Sequence, residues 1–281
     1  MLKEAVSGIL SEKEASELYG AFDQIGDIIV IRIPDSLLSK KKTIGEILLQ
    51  KLKTAKSVFY QSSSVEGDFR IRNLELLAGE DKTETEYKEH GCRFMVDVQK
   101  AFFSPRLSTE RERIANIVND GETVINMFGG VGMFSIIAAK KKKCIVYNID
   151  INPDAIELCK KSVSLNKMKG QVESIVGDAS QVIEERLADK GDRVLMLLPE
   201  RSDEFLGSAI KATKSGGIIH YYSHQHADKR QDATELSKQH FLQVTSMKSE
   251  ILGGRMVRPV GPHYYQTVVD VRITKQYQYS L

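Results

Sequence analysis

Three glycines and two carboxylates carry the first chemistry that can be read in the chain. Gly129, Gly130 and Gly132 follow a short apolar run (Val124, Ile125, Met127, Phe128) and precede a helical pattern from Phe134 to Ala139. Glycine lets the backbone turn sharply and come close to a ligand, which a strand-to-helix turn beneath a nucleoside requires. A second β-rich run, Cys144 to Ile149, stops at Asp150. An acid about twenty residues after such glycines, at the carboxyl end of a strand, accepts hydrogen bonds from ribose hydroxyls. A dinucleotide site wants Gly-x-Gly-x-x-Gly to seat pyrophosphate on the helix N-terminus. Here Gly130-Val131-Gly132-Met133-Phe134-Ser135 puts serine where the third glycine belongs, so the turn suits a ligand with ribose and adenine but no phosphate. Asp178, after the strand Val172 to Val176, is placed to bind an adenine amino group.

These residues need a βαβ scaffold, and the surrounding pattern supplies it. A helix from Asp154 to Leu165, with Asn152 or Asp154 near its start, follows Asp150; a charged helix follows Asp178. Arg193 to Pro199 reads as a fourth strand, and its carboxyl end is where ligands meet in open α/β sheets. The helix Ser202 to Thr213 ends at Gly216-Gly217, before a fifth strand Ile218 to Tyr222. Phe241 to Met247 and Thr267 to Ile273 read as two more strands joined by Gly253 to Pro259, an antiparallel pair. The expected fold is α/β, a Rossmann-like domain with a seven-stranded, mostly parallel sheet over residues 101–281, preceded by a smaller α+β domain over 1–100.

That first domain reads as a helix Leu2 to Ile9 and a helix start at Ser11-Glu12-Lys13-Glu14. A turn follows at Phe22 to Asp27, a strand Ile28 to Ile33 ended by Pro34, and a helix with Ile44, Ile47, Leu48 and Leu52 on one face. Strands at Ser57 to Tyr60, Arg70 to Ala78 and Glu89 to Val96 alternate with turns at Glu66-Gly67-Asp68 and Gly79-Glu80-Asp81. Between the domains, Pro105 forces Ser104 away from helix, and Ser108 or Thr109 caps a helix Glu110 to Val118. Arg106 is thereby fixed in a rigid turn, where a guanidinium can hold an anionic oxygen. Arg111 and Arg113 read equally well as a solvated helix face.

Composition bounds the rest. With 281 residues, 41% of them hydrophobic, the chain can bury a real core, and it is long enough to do so. Its net charge of +2 announces no global nucleic-acid field. A nucleic-acid site must be local: Lys40 to Lys42, Lys140 to Lys143, and Arg255 with Arg258 are the basic clusters. Cys92, Cys144 and Cys159 are odd in number and lack metal-ligand spacing, which points to a reducing cytoplasm. No apolar run reaches a membrane span, and no signal-peptide core is present. His224 and His226 point to one face of a strand near His220, but no third ligand has usable spacing, so no metal is expected.

With these residues assembled, the chain resembles the class I S-adenosylmethionine-dependent tRNA (guanine-37, N1)-methyltransferases of archaea and eukaryotes. The resemblance rests on Phe22-Asp23-Gln24-Ile25-Gly26-Asp27-Ile28, Glu89-His90-Gly91-Cys92-Arg93-Phe94, Phe103-Ser104-Pro105-Arg106-Leu107-Ser108-Thr109-Glu110, Phe128 to Ser135, Ile149 to Pro153, and Ile219-His220-Tyr221-Tyr222. It implies methylation of N1 of guanosine 37 in the tRNA anticodon loop by a monomeric cytoplasmic enzyme. S-adenosylmethionine would be held by Phe128, Gly129, Gly130, Val131, Gly132, Asp150, Ile151, Asp178, Ala179 and Leu198. The resemblance also implies that Arg106 binds guanine O6, that Pro199 forms the lip of the site, and that the target base stacks on Tyr264, Tyr265 or His263. A small elbow-gripping domain of some members is absent here or reduced to the first twenty residues. The chain departs from the family pattern at Asn126, usually an acid, and at Leu197-Leu198-Pro199, usually Asn-x-Pro. The related aminocarboxypropyl transferases of wyosine synthesis lack the Ser-Pro-Arg-Leu turn that this chain keeps, which favours methyl transfer. Aminocarboxypropyl transfer, another wyosine-pathway transfer, and a tRNA-binding protein with a degraded site are the alternatives.

Overall fold

Ser11 and Glu14 satisfy each other as a helix start requires. In the computed structural model, which describes residues 10–17, 22–62, 67 and 72–275, the Glu14 amide donates to Ser11 Oγ (3.3 Å) and the Ser11 amide to Glu14 Oε2 (2.9 Å). This capping box opens helix α1 (Glu12–Glu17) as the sequence predicts. The expected helix Leu2 to Ile9, residues 70 and 71 of one strand, and Glu66 and Asp68 of one turn lie outside the described residues.

The chain divides into units Met1–Pro105 and Arg106–Leu281. In the first, β1 (Asp23–Ile25) and β2 (Ile28–Ile31) form an antiparallel hairpin around Gly26 (φ 56°), so three residues of the expected Phe22 to Asp27 turn are strand. Helix α2 (Lys41–Lys51) then crosses to β3 (Ser57–Gln61), which pairs parallel to β2, and β4 (Leu74–Gly79) completes the order β1-β2-β3-β4. Ile44, Ile47 and Leu48 of α2 are buried against Ile29, Ile31, Val58 and Leu77, as their helical spacing demands. A separate pair, β5 (Glu84–Glu89) and β6 (Cys92–Asp97), turns through His90 and Gly91, both at positive φ. Glu89 thus ends a strand that the sequence reading passed over, because alternating charges hide it. Arg93 forks onto Glu86 across the pair (2.9 and 2.5 Å).

The second unit begins with helix α3 (Ser108–Ile117). A 3-10 turn over Pro105–Leu107 runs directly into it, so Ser108 already lies in the first helical turn and neither Ser108 nor Thr109 is the N-cap; Leu107 is, without a side-chain bond. The chain continues through β7 (Thr123–Asn126), α4 (Met133–Lys141), β8 (Ile145–Asp150), α5 (Pro153–Ser164), β9 (Gln171–Val176), α6 (Ala179–Val182), β10 (Gly191–Met196), α7 (Ser202–Ala212), β11 (Thr213–His226), α8 (Ala233–Val244), β12 (Ser249–Gly261) and β13 (Tyr264–Ile273). Asn152, rather than Asp154, caps α5 by accepting from the amides of Asp154 and Ala155.

The sheet order is β12-β13-β11-β10-β7-β8-β9; β7 to β11 pair parallel, and β13 alone runs antiparallel, to both β11 and β12. This is the expected seven-stranded, mostly parallel sheet. Strand order reverses between β7 and β10, which opens a crevice at their carboxyl ends, the general ligand position in such sheets. Four expectations fail. Phe241 to Met247 is not a strand: Ala233, Ser237 and Phe241, one helical turn apart, are the buried face of α8, and Phe241 meets the Tyr221 ring edge-on at 5.3 Å. Gly253 to Pro259 is not a connection but the interior of β12, and Gly216-Gly217 lies inside β11. β10 ends at Met196, so Leu197 to Pro199 crosses the carboxyl edge as loop.

Candidate active site

The glycine turn is built by backbone that only glycine tolerates. Gly130 and Gly132 have φ of 52° and 83°. A Cβ on Gly132 would overlap Cys159 Sγ, which is fully buried in α5. The turn is tied to the next strand through the Gly129 amide, which donates to Ile149 O (2.7 Å). Asp150 Oδ2 accepts from the Gly130 amide (2.7 Å) and Oδ1 from the Asn152 amide (2.9 Å). The acid expected for ribose therefore also shapes the turn.

Beneath the turn runs a buried polar chain. Asn126 Nδ2 donates to Ser135 Oγ (3.1 Å), which donates to Asn148 Oδ1 (2.6 Å), and Asn148 Nδ2 donates to Gly130 O (3.3 Å). Asn126 Oδ1 is buried without a hydrogen-bond partner among the described residues. A buried acceptor left in this state costs free energy unless a ligand donor completes it. Asp150 pairs in register with Val176, so Asp178, two residues on, stands at the same edge, where its carboxylate caps α6 by accepting from the Gln181 amide (3.0 Å). Ile151, 45% exposed, offers apolar surface beside the two acids, and Ala179 is buried below Asp178. Phe128 packs edge-on to Phe205 at 4.9 Å.

On the other side of the crevice, Leu197 and Leu198 are half-buried and Pro199 is buried. The Leu198 carbonyl accepts from Ser202 Oγ (3.0 Å) and the Arg201 amide (3.1 Å), which holds the lip in place. The cofactor residues expected from the sequence thus gather, with Pro199, at the carboxyl ends of β7, β8, β9 and β10. Their donors and acceptors fit a nucleoside carrying hydroxyls, an adenine and an ammonium group.

Helix α3 runs against the strands, and its contacts show which end faces the site. Its last turn is held by Arg193 Nη2 on Ile117 O (3.0 Å), near the start of β10, whereas Glu110 in its first turn accepts from the Tyr222 hydroxyl (2.6 Å) at the carboxyl end of β11. Arg111 lies 5.7 Å from the Phe134 ring, beside the glycine turn. The exposed Arg106, just before α3, belongs to this end too. Glu110 is the carboxylate that spacing alone did not single out: 2% exposed, it takes Arg113 Nη2 at 2.7 Å on Oε1 and longer contacts on Oε2, 3.1 Å from Arg113 Nε and 3.7 Å from Arg255. Arg113 also bonds Asp270 (2.5 Å), so it is no solvated helix face. Burial works against ionising Arg113, but its bonds to Glu110 and Asp270 outweigh that and raise its pKa. Burial alone would raise the Asp270 carboxyl, yet His220 and Arg113 hold it well below the usual range. Burial and the Glu110 charge push the Tyr222 hydroxyl well up.

Beyond Pro199 lies a cleft of about 500 Å³, lined by Asp203, Tyr221, His224, His240 and Tyr264 among others. Asp203 accepts from the Tyr221 hydroxyl and pairs with His240 (2.9 Å). Of the candidate stacking rings, Tyr264 is exposed and stands 5.1 Å from His224. His220 points into the α3 network and not toward His224, and no group of three metal-binding side chains occurs among the described residues. Of the basic clusters, Arg255 reaches the site. Lys140 to Lys143 sit at the far end of α4 from the glycine turn, and Lys40 and Lys41 pair with Glu14 and Glu75. Among the described residues no helix is long and apolar enough to cross a membrane.

Residues 85–244 match the TRM5/TYW2 methyltransferase domain family, and residues 2–83 the TYW2 N-terminal domain. The chain is 38% identical to the tRNA (guanine(37)-N(1))-methyltransferase Trm5b of Pyrococcus abyssi over 90% of this chain and 75% of that protein. It is 36% identical to the tRNA 4-demethylwyosine(37)-methyltransferase Taw21 of Saccharolobus solfataricus over 92% of this chain and 96% of that one. Among solved structures, the complex of aTrm5 and tRNALeu superposes with a TM-score of 0.84 at 36% identity, covering 98% of this chain and 78% of the other.

Proposed function

The chain belongs to the TRM5/TYW2 methyltransferase family, and on that premise we propose that it methylates N1 of guanosine 37 in tRNA, with S-adenosylmethionine as donor. The observation that carries this reading is the meeting, at one edge of one sheet, of a phosphate-free nucleoside turn with a buried carboxylate, Glu110, one helical turn from Arg106.

Bound S-adenosylmethionine supplies an electrophilic methyl group, whose C–S electron pair leaves with the sulfur. The protein's part is to hold and to move a proton. The Gly129 to Gly132 backbone, Asp150 and Asp178 would hold the ribose and adenine, and Asn126 Oδ1, buried without a partner among the described residues, would accept from the ammonium. Guanine N1 carries a proton at neutral pH, so its attack needs a base, and charge gathering on O6 needs a donor. Arg106 donates to O6. For the base, Glu122 is excluded because it pairs with Arg193 at the amino-terminal side of β7. Asp270 is held by His220 and Arg113. Asp203, in the cleft beyond Pro199, is taken up by the Tyr221 hydroxyl and His240, which leaves Glu110 beside Arg106 and the glycine turn, with Oε2 its less engaged oxygen. An anticodon-loop base must be splayed out to reach this edge, where Pro199 bounds it and Tyr264 offers a stacking face. Residues 1–100 serve as the tRNA-binding domain and 101–281 as the catalytic one; the enzyme acts as a monomer in the cytoplasm, where its three buried cysteines stay reduced.

The test is an incubation with unmodified tRNA transcript and S-adenosylmethionine labelled separately in the methyl and aminocarboxypropyl carbons, followed by nucleoside analysis. Methyl label on N1 of guanosine 37, lost in Arg106→Ala, is the expected result. Aminocarboxypropyl label would move the protein to the wyosine branch, and cofactor binding without label would mean a degraded site. A second reading, methylation of a tricyclic guanosine derivative at the same position, draws on the likeness to Taw21 and on Leu197, which offers hydrocarbon where an amide is usual. Labelling of tRNA carrying 4-demethylwyosine but not of the unmodified transcript would establish it.

A further inference from the structure

The buried side of α3 is bolted to the sheet by a chain of groups with His220 at its centre. The His220 ring is fully buried on β11 between Arg193 of β10 and Asp270 of β13. Arg193 Nη1 stands 2.7 Å from Nε2, and a guanidinium only donates, so Nε2 is an acceptor without a proton. Nδ1 therefore carries the proton and donates to Asp270 Oδ1 at 2.5 Å. A doubly protonated ring would turn an N–H toward Arg193, so the site admits the neutral form. From Asp270 the chain continues through Arg113 to Glu110 and Tyr222. From Arg193 it continues to Glu122 (2.9 Å) and Ile117 O (3.0 Å). One imidazole thus links the two anchors of α3, its first turn at Glu110 and its last at Ile117.

We propose that His220 is a positioning residue for the transfer step, a neutral Nδ1-protonated imidazole that sets the Glu110 carboxylate through Asp270 and Arg113. The proposal rests on the reading of Glu110 as acceptor of the N1 proton. Glu110 faces Arg113 on its own helix, Tyr222 on β11 and Arg255 on β12. His220 faces Arg193 and Asp270, with the charge of Arg113 close by. When Asp270 loses the Nδ1–H donor, it draws Arg113 toward itself and away from Glu110. The Glu110 carboxyl then protonates more easily, so fewer molecules hold the base ready.

Two substitutions separate the two nitrogens of the ring. Asparagine places its amide nitrogen as many bonds from Cα as Nδ1, and glutamine places its carbonyl oxygen as many as Nε2. His220→Asn keeps donation to Asp270, whereas His220→Gln keeps only the acceptor for Arg193. The expected result for His220→Gln is a fall in kcat of about tenfold, with KM for tRNA and cofactor unchanged and the acid limb of the kcat profile moved to higher pH. His220→Asn should retain most of the wild-type rate with its acid limb in place. Equal losses in both variants, a loss confined to KM, or an unmoved acid limb in His220→Gln would overturn the proposal. The unaltered enzyme gives a test independent of folding: nitrogen NMR of the His220 ring should show a protonated Nδ1 and a bare Nε2, and the opposite tautomer or an imidazolium at neutral pH refutes it. Glu110→Gln separates the two levels of the argument. If it turns over like wild type, the base assignment itself fails; if it is inactive while the His220 variants behave alike, only the role of His220 does.

Discussion

Gly132→Ala probes the glycine turn at its most constrained point. Gly132 is the N-cap of α4 with φ 83°. An L-residue held in that left-handed region loses about 1–2 kcal/mol. The added Cβ overlaps Cys159 Sγ, buried in α5. Forcing a methyl into a packed core costs about 1–3 kcal/mol. The sum, about 3.5 kcal/mol at its centre, lowers Tm by roughly 7–14 °C in a domain of this size. On the proposal that the same backbone holds the cofactor, affinity for S-adenosylmethionine should fall with stability. Calorimetric unfolding and titration with the cofactor measure both. The clash and the backbone strain are separable: Cys159→Ala removes Sγ, after which the nearest atoms to a Cβ at position 132 are Ile136 Cδ1 at 3.3 Å and the Cβ of residue 159 at 3.4 Å. In the double variant about half of the destabilisation should therefore be relieved, a favourable coupling of roughly 1–2 kcal/mol. A single-variant cost below about 0.5 kcal/mol, within the range of an ordinary surface change, or simple additivity of the two substitutions, would refute the reasoning.

Asp150→Ala removes the acceptor of two amide bonds at the turn, from Gly130 and Asn152. At about 1.5–3 kcal/mol for a bond to a charged group, it should raise the cofactor Kd at least roughly tenfold; titration calorimetry showing unchanged affinity would exclude Asp150 from the site. Stability should also depend on His220. Burial, outweighing the pull of Asp270, holds its pKa below the ordinary 6.5, so the unfolded chain takes up a proton that the native state refuses. That contribution is complete above about pH 6.5 and is lost as pH falls, by at most about 1.4 kcal/mol per pH unit. Denaturant melts between pH 7 and 5 should show a shallower decline in His220→Asn than in wild type, and an identical slope would count against the neutral ring.

Much of the cofactor half of the site was legible because its determinants are local. Apolar runs of strand length, glycines at a turn and an acid ending the next strand act through backbone sterics and hydrogen bonds a few residues long, and these predict β7, α4, β8 and Asp150 closely. Where local signals were ambiguous, packing decided. Phe241-Leu242-Gln243-Val244 has the composition of a strand, yet docking Phe241 against Tyr221 and Ser237 against Ser223 and Thr267 makes it helix. The glycines at 253 and 254 suggest breaks, but β12 carries through them because β13 supplies the ladder, whereas at 216 and 217, with Gly216 at φ 84°, the register of β11 with β10 shifts. Charged β5 exists because β6 pairs with it.

By itself the sequence determined the Rossmann-like order of elements, the glycine turn with its two acids, the class of cofactor, and Arg106 in its turn before α3. Only the tertiary structure decided which carboxylate stands with them. Glu110 meets Tyr222 from 112 positions away and Arg113 meets Asp270 from 157. A buried charge persists only where partners from distant strands replace the water it has lost, and no local pattern in the chain records which strands those will be.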